Sequence, residues 1–203
     1  MHLYYKPGSC SLASHIALYE AGGDFSVEQV DTVAKETASG GDFLSINPNG
    51  YVPALRLDDG TVLTEGPAVL QFIADSAPAA KLAPEPRSVE RAKMQQYLNF
   101  IASELHKAFT PLFYGVLSES QKQDAAGQVL RRFDYIENIL SDGREFLLGS
   151  AFSVADAYLF VIAGWTKRVD ISLAAHPFLS KFMDRVADRW SVQRAMRAEG
   201  LIH

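Results

Sequence analysis

A single cysteine is the most reactive side chain of the sequence. Cys10 follows the run Lys6–Ser9, where a strand-like segment changes into a helical one. Unsatisfied backbone N–H groups at a helix start favour an anion, so this position predicts a stabilised thiolate. Because residue 13 is alanine, there is no Cys-x-x-Cys pair and dithiol exchange within the chain is excluded. An inert, packed cysteine is the alternative interpretation.

Two further short motifs could bind a peptide-like ligand. Pro53 directly precedes a strand-like run, and a cis Val52-Pro53 bond would leave the Val52 backbone facing outward for strand addition. From spacing alone, an ordinary edge-strand proline is favoured. Glu65-Gly66 lies at a helix start, where a carboxylate and bare N–H groups would suit an amino acid zwitterion. Compensation of the helix dipole would explain the same glutamate without a ligand.

A polar stripe runs along the first helix of the second half of the chain. Its members recur at helical spacing: Asn99, Ser103, His106 and Thr110. Alone, the stripe indicates a solvated helix face, because a lone histidine is more often structural than catalytic. Pro111 removes one backbone hydrogen bond near His106-Lys107 and therefore predicts a kink there.

The segments before residue 78 alternate between strand and helix patterns. They predict β-α-β and then β-β-α, from a strand at 3–5, a helix at 9–21, a strand at 25–30, a hairpin of strands at 54–57 and 61–64, and a last helix. That last helix is expected to begin with Gly66 as N-cap and Pro67 at its first position. Residues 32–47 read as a polar, weakly helical connection.

Beyond residue 87 the period is helical throughout. Helices are predicted at 88–117, 119–141, 154–169, 177–188 and 191–199. Ser153-Val154-Ala155-Asp156 predicts a capping box with aspartate in the third helical position. Three prolines within 78–87 indicate a linker. The chain is therefore divided into an α/β domain at 1–77, the linker at 78–87 and an all-α domain at 88–203.

Composition excludes several classes of protein. With 48% hydrophobic and 21% charged residues the 203-residue chain is globular, and its net charge of −5 gives no electrostatic footprint for nucleic acid or an anionic membrane. Met1–Pro7 lacks the basic-then-apolar pattern of a signal peptide and no apolar stretch is long enough to span a bilayer, so a cytoplasmic protein is expected. One cysteine cannot build a cysteine-cluster metal site, and no metal is expected.

Five motifs in order resemble the glutathione transferase family, and within it the bacterial beta class. They are Tyr5-Lys6-Pro7-Gly8-Ser9-Cys10-Ser11-Leu12-Ala13, Asn47-Pro48 through Val52-Pro53-Ala54-Leu55, Leu63-Thr64-Glu65-Gly66, Glu104-Leu105-His106-Lys107, and Phe152-Ser153-Val154-Ala155-Asp156-Ala157-Tyr158. The resemblance implies a thioredoxin-like N-terminal domain, an all-α helical C-terminal domain, and a homodimer with active sites between the domains. It also implies glutathione as the co-substrate.

The same resemblance implies roles for individual residues. The Val52 backbone, across a cis bond to Pro53, would pair with the cysteinyl part of glutathione, and Lys35 would bind the glycyl carboxylate region. Glu65 and Gly66 would hold the γ-glutamyl end. Many relatives have Ser or another hydroxyl residue at the position of Gly66. Because glycine has no side chain, the backbone N–H of Gly66 would make this contact here. The full predicted set of glutathione-binding residues is Tyr5, Cys10, Lys35, Val52, Glu65, Gly66, Asn99, Ser103, Glu104, His106 and Lys107, with Glu104 reaching across the dimer interface.

Cys10 and His106 are the expected catalytic residues, ranked above the hydroxyls of Tyr5, Ser9 and Ser11. Positive groups at Lys35, His106 and Lys107 would stabilise the thiolate of glutathione for attack on a small hydrophobic electrophile. Aromatic residues expected to line the electrophile pocket, with the core as the alternative location, are Phe109, Phe113, Tyr114 and Trp165. The expected function is conjugation, in a detoxifying enzyme.

Two other functions stay open at this stage. Cys10 could form a mixed disulfide and support thiol transfer or reductive dehalogenation. A function of another class is a non-catalytic glutathione-fold protein that binds a ligand or a partner as a stress module. Retention of Cys10, Glu65 and His106 argues against that last function.

Overall fold

Strands and helices group into two units in the computed structural model, which describes Met1–His203. The first unit contains residues 1–83 and 188–203, and the helical unit contains residues 84–187. The C-terminal 188–203 segment therefore packs with the α/β part of the chain. The sequence-based domain limits, which place this segment in the helical domain, stay a prediction.

A mixed five-stranded sheet lies at the centre of the first unit. Its strands are β1 (His2–Tyr5), β2 (Ser26–Asp31), β3 (Glu36–Thr37), β4 (Ala54–Arg56) and β5 (Val62–Thr64). The order across the sheet is β3-β2-β1-β4-β5, with β1 parallel to β2 and the other pairs antiparallel. The predicted β-α-β opening and the β4–β5 hairpin are both present.

Three helices complete the first unit: α1 (Ser11–Ala21), α2 (Gly66–Ser76) and α9 (Trp190–Ala198). On one side of the sheet Leu3 and Leu55 are buried together with Ile16 of α1 and Ile73 of α2. On the other side Tyr4, Val30, Phe43, Val52 and Ala54 form a second cluster. Because strand residues alternate between faces, neighbours Leu3 and Tyr4 contribute to different cores.

Two local predictions in the first unit are wrong. Residues 32–47 contain the short strand β3 and a 3₁₀ turn at Phe43–Ser45, and no α-helix. Helix α2 has Glu65 as N-cap and Gly66 as its first residue, one position earlier than predicted. The Glu65 backbone, at φ 66°, already turns the chain into the helix, so Pro67 falls at the second position.

The helical unit contains α3 (Val89–Phe100), α4 (His106–Ala108), α5 (Thr110–Tyr114), α6 (Glu119–Leu140), α7 (Val154–Gly164) and α8 (Pro177–Ala187). Helix α7 is buried along almost its whole length and packs against α3 and α8. Its start is fixed as predicted: the Asp156 carboxylate accepts hydrogen bonds from Ser153 N–H at 2.8 Å, Ser153 Oγ at 2.7 Å and Leu147 N–H at 2.8 Å.

The predicted helix at 88–117 is interrupted twice. A π-helical turn at Ile101–Leu105 follows α3, with the His106 N–H donating to Ile101 O. Helix α4 then ends at Ala108, and α5 begins at Thr110 just before Pro111. The break agrees with the kink predicted from the missing N–H of Pro111. The π turn, which inserts one extra residue into the helix, was not foreseen.

Candidate glutathione site

Cys10 is the N-cap of α1 and lies half-buried in the first unit. Its Sγ donates a hydrogen bond to the carbonyl oxygen of Val52 at 3.3 Å. This bond needs the proton on sulfur, because a thiolate would face the carbonyl oxygen with two negative ends together. In this arrangement Cys10 is a neutral thiol that can act as a donor.

Most of the backbone N–H groups beside Cys10, which the sequence predicts to be free, donate hydrogen bonds to acceptors within the chain. Ser11 N–H donates to Ser9 Oγ at 3.3 Å, Leu12 N–H to Ser9 O at 3.0 Å, and Ala13 N–H to Cys10 O at 3.2 Å. A helix start stabilises an anion through donors that are free to reach it. The expectation of a stabilised Cys10 thiolate is thereby weakened, and the donated hydrogen bond replaces it.

The loop before Cys10 is held by residues that the sequence did not single out. Gly8 N–H donates to Glu199 Oε2 at 2.8 Å, and Glu199 Oε1 lies 3.0 Å from His15 Nδ1. The side chains of His15 and Glu199 are fully buried. Because these two residues are 184 positions apart, no local motif could have connected them.

Val52 precedes a cis peptide bond to Pro53, as the family resemblance implies and against the ordinary edge-strand proline favoured by spacing. The turn before it is fixed by Asn47, whose Nδ2 donates to Tyr51 O at 2.7 Å. Gly50 N–H donates to Asn47 O at 2.8 Å. The Val52 carbonyl, whose backbone is predicted to pair with glutathione, accepts a hydrogen bond from the Cys10 thiol.

Glu65 and Gly66 form the start of α2. Glu65 is exposed and has φ 66° and ψ 114°, a backbone conformation that side-chain-bearing residues seldom adopt. Its carbonyl accepts the N–H groups of Ala68 and Val69, both at 3.0 Å. The Gly66 N–H makes no hydrogen bond within the chain. A carboxylate-bearing residue and a helix-start N–H are therefore neighbours in the chain, and their binding of a zwitterion stays a prediction.

Lys35 and Tyr5 have different surroundings. Lys35 is half-buried, and its Nζ donates to Gly50 O at 3.0 Å. Tyr5 is buried with its ring 5.7 Å from that of His15. Burial raises the pKa of Tyr5, and the Glu199 carboxylate raises it further. Tyr5 is therefore a neutral phenol inside the first unit, whereas Lys35 is only half-buried.

His106, in the helical unit, is a neutral imidazole. Its Nδ1 lies 3.0 Å from the Tyr158 hydroxyl, and its ring centroid lies 4.8 Å from that of Trp165. Burial, with a smaller effect of the Lys107 charge, lowers the pKa of His106 to about 4. The expectation that His106 supplies positive charge is wrong at neutral pH, because the ring has lost most of the water that would solvate its charge.

The other predicted polar residues of this stretch, Asn99, Ser103, Glu104 and Lys107, are all exposed. Ser103 Oγ donates to Asn99 O at 2.9 Å. Glu104, predicted to cross a dimer interface, has its carboxylate 3.4 Å from an Arg132 nitrogen of its own chain. Their part in binding glutathione stays a prediction.

The predicted electrophile-pocket residues do not share one environment. Phe109 is fully buried and Trp165 is buried, with their ring centroids 5.7 Å apart. Phe113 is half-buried, 5.3 Å from Trp165, whereas Tyr114 is 84% exposed. Phe109 and Trp165 thus occupy the core position considered as their alternative, and Phe113 is the member placed at the border of core and solvent.

No three His, Cys, Asp or Glu side chains are grouped so that they could hold a metal ion. No helix combines the length and the apolar character needed to cross a membrane.

Sequence comparison identifies both parts of the chain. Residues 8–76 match the family described as glutathione S-transferase, N-terminal domain, and residues 100–189 match glutathione S-transferase, C-terminal domain. A curated relative, glutathione S-transferase GstA of Escherichia coli O157:H7, is 45% identical over 201 residues, which is 99% of this chain and 100% of the relative. The chain belongs to the glutathione S-transferase family.

Two solved structures refine this assignment. A sphingomonad glutathione S-transferase complexed with glutathione is 46% identical, with a TM-score of 0.94. A bacterial beta class glutathione S-transferase of Sphingomonas chungbukensis is also 46% identical, with a TM-score of 0.95. Each comparison covers all of both chains. The predicted family, its bacterial beta class, the α/β plus all-α fold and the glutathione co-substrate are confirmed.

Proposed function

We propose that this glutathione transferase joins the thiol of glutathione to small hydrophobic electrophiles, with Cys10 and His106 as its catalytic residues. The observation that carries the proposal is the position of the Cys10 thiol, 3.3 Å from the carbonyl oxygen of Val52. If Val52 pairs with the cysteinyl part of glutathione by strand addition, Cys10 is a donor placed beside the sulfur that must ionise.

Recognition of glutathione would use groups of opposite charge on the first unit. The Glu65 carboxylate and the free Gly66 N–H suit the ammonium and carboxylate of the γ-glutamyl end. The Lys35 ammonium suits the glycyl carboxylate. Tyr5, Asn99, Ser103, Glu104, His106 and Lys107 complete the proposed set, and a glutathione-bound structure of this chain would test each of them.

The proposed reaction uses Cys10 as a hydrogen-bond donor. The Cys10 S–H leaves the Val52 carbonyl and donates to the glutathione sulfur, which favours the thiolate over the thiol. The proton of glutathione passes to solvent. The thiolate attacks the electrophilic carbon, a C–S bond forms, and the leaving group departs with the bonding electron pair. With a chloronitrobenzene, chloride is released. Phe113 and its aromatic neighbours would hold the ring of such a substrate.

A mixed disulfide at Cys10 is the second candidate, favoured by the half-exposed sulfur. In this chemistry the Cys10 thiolate attacks the glutathione sulfur of a mixed disulfide between glutathione and a substrate, and the substrate thiolate leaves. A second glutathione, as its thiolate, attacks the glutathione sulfur bound to Cys10, which restores the Cys10 thiolate and releases glutathione disulfide. Such a step needs Cys10 ionised. The hydrogen bond that Cys10 donates to the Val52 carbonyl favours conjugation instead.

Two substitutions separate these chemistries. Cys10→Ser keeps a hydroxyl donor and Cys10→Ala removes it. We expect turnover of a chloronitrobenzene to fall about threefold in the serine variant and about tenfold in the alanine variant, because one hydrogen bond to the thiolate is weakened or lost. Thiol transfer should be absent from both. Complete loss of conjugation in Cys10→Ser would overturn the donor role and support the covalent one.

A non-catalytic protein would behave differently in a direct titration. The ultraviolet absorbance of the thiolate reports the ionisation of bound glutathione. We expect its midpoint to lie at lower pH on the enzyme than in water. An unchanged midpoint, together with no turnover across a panel of electrophiles, would favour a ligand-binding role. We further propose a homodimeric, cytoplasmic enzyme that detoxifies electrophiles, and sedimentation of the purified chain would test its dimeric state.

A further inference from the structure

Lys35 has an unusually constrained backbone for a lysine. Its φ is 60°, in the left-handed region that favours glycine. Its N–H donates to Asp31 O at 2.8 Å, and its carbonyl accepts the Phe43 N–H at 2.8 Å. Strained conformations of this kind persist only where the surroundings fix them, and they are frequent at ligand sites. The backbone therefore points the Lys35 side chain in one direction.

The ammonium at the end of this side chain has two contacts in one turn. It donates to Gly50 O at 3.0 Å and lies 5.6 Å from the centroid of the Tyr51 ring. A Cβ on Gly50 would come within 2.9 Å of Lys35 Nζ. The ammonium thus fits closely against Gly50, and one of its three N–H donors is used there.

Tyr51 is a large aromatic residue with little burial to explain it. Its ring is 69% exposed, although the hydrogen bond from Asn47 Nδ2 to Tyr51 O fixes its backbone. The face of an aromatic ring attracts a cation within about 6 Å of its centroid. The Tyr51 ring makes such a contact with the Lys35 ammonium. A contact with the ring face leaves N–H donors of the ammonium available to bind a ligand.

We propose that Tyr51 is a positioning residue that holds the Lys35 ammonium for the glycyl carboxylate and so selects full-length glutathione over thiols without that carboxylate. The inference rests on the proposed function, in which Lys35 binds this carboxylate. A lysine side chain has four rotatable bonds, and ordering them on binding costs free energy. The ring and the Gly50 carbonyl restrict the ammonium before glutathione arrives, so less ordering remains to be done.

Three variants test the proposal on the full-length enzyme: Tyr51→Leu, Tyr51→Phe and Lys35→Met. Leucine keeps apolar bulk without a π face, and phenylalanine keeps the face without the hydroxyl. We expect Tyr51→Leu to raise the KM for glutathione about threefold and to leave kcat unchanged. A threefold change in affinity corresponds to the free energy typical of an exposed cation–π contact. Tyr51→Phe should match the parent enzyme. Lys35→Met should raise the KM about tenfold through loss of a charged hydrogen bond.

The C-terminal amide of glutathione is the matched ligand. It lacks the glycyl carboxylate, so Tyr51→Leu should leave its KM unchanged. A second readout needs no ligand: the Tyr51 ring should shift the NMR signals of the Lys35 ε-methylene upfield in the parent and Tyr51→Phe proteins, and Tyr51→Leu should abolish the shift. Because Tyr51 is exposed, Tyr51→Leu and Tyr51→Phe are expected to keep the unfolding midpoint of the parent protein.

Each other outcome has a distinct meaning. An unchanged KM in Tyr51→Leu, beside a raised KM in Lys35→Met, would overturn the role of Tyr51 and leave the proposed function intact. An unchanged KM in Lys35→Met would remove Lys35 from the proposed glutathione site and the inference with it. An equal rise for glutathione and its amide would show general packing by the ring, and an absent upfield shift would refute the cation–π contact. Either result overturns the proposal.

Discussion

Lys35 in the first unit and His106 in the helical unit were both expected to supply positive charge, and their surroundings differ. Lys35 is half-buried, and its ammonium donates to the Gly50 carbonyl at 3.0 Å. The His106 ring lies beside Tyr158 and Trp165, and burial lowers its pKa to about 4. The expectation of positive charge is therefore wrong for His106 at neutral pH, and for Lys35 it stays a prediction.

The difference extends to how each unit positions its polar groups. In the first unit, turns with positive φ at Lys35 and Glu65 aim side chains whose ends remain accessible. In the helical unit, the buried Asp156 is held by hydrogen bonds and His106 by Tyr158 inside packed helices. Substitution of Asp156 should therefore act first on stability, and substitution of Lys35 or Glu65 on ligand binding.

The largest expected effect is that of Asp156→Ala on stability. The Asp156 carboxylate is fully buried and accepts hydrogen bonds from Ser153 N–H, Ser153 Oγ and Leu147 N–H. Alanine would leave the buried N–H groups of Ser153 and Leu147 without this acceptor and would remove the Asp156 half of the capping box at the start of α7. We expect the free energy of unfolding to fall by about 3 kcal/mol. Urea unfolding followed by circular dichroism measures it.

Asp184→Ala is the matched control, since it removes an exposed carboxylate from α8 of the same unit. Its effect should stay below about 0.5 kcal/mol. If the two variants unfolded at the same urea concentration, the buried network would not be what secures the start of α7.

A smaller effect, on pH dependence, is expected at His106. Its folded pKa of about 4 lies below the ordinary value of 6.5, so the unfolded chain binds more protons between these pH values. The contribution of His106 is therefore lost as pH falls from 6.5 towards 4, by about 2 kcal/mol. The difference in unfolding free energy between the parent and His106→Gln, measured across this window, isolates the effect from other groups.

The Asp156 carboxyl makes the difference measurement necessary. Burial raises its pKa to about 6 against the hydrogen bonds from Leu147 and Ser153, so its own contribution falls as pH rises towards 6. The two slopes oppose each other in the parent protein. An NMR titration of the His106 ring with a midpoint near 6.5 would contradict the lowered pKa of this ring.

Much of the framework followed from local sequence signals. Alternation predicted the β4–β5 hairpin, whose Asp-Asp-Gly turn is visible in the sequence, and Ser153 with Asp156 predicted the cap of α7. The family motifs located the family, its class and its co-substrate. These signals are short-range, because each depends on residues within a few positions of one another.

The errors concern properties created by packing. The neutral state of His106 depends on Tyr158 and Trp165, which are more than fifty positions away. The hydrogen bond from Gly8 to Glu199 joins the two ends of the chain, and the Cys10 thiol donates to Val52, 42 positions away. No periodic pattern records such pairings, so the charge of a site residue could not be predicted from its type alone.

The smallest effect on stability is expected for Glu65→Gly, which tests whether the backbone conformation of Glu65 destabilises the folded protein. Glu65 has φ 66° and ψ 114°, which strains a residue with a Cβ by about 1 kcal/mol or more. Glu65→Gly relieves this strain but makes the unfolded chain more flexible, at about 1 kcal/mol. We expect a net gain in unfolding free energy of about 0.5 kcal/mol. Glutathione binding should weaken, because the carboxylate is gone.

Glu65→Gln is the control, since it keeps the strained backbone and loses only the charge. Calorimetry with glutathione should show weakened binding in both variants, while denaturant unfolding should show a gain for glycine alone. A loss of stability in Glu65→Gly would mean that the side chain supports α2 rather than a ligand. The contrast between Asp156, which acts on stability, and the site residues of the first unit, which act on ligand binding, would then fail at Glu65.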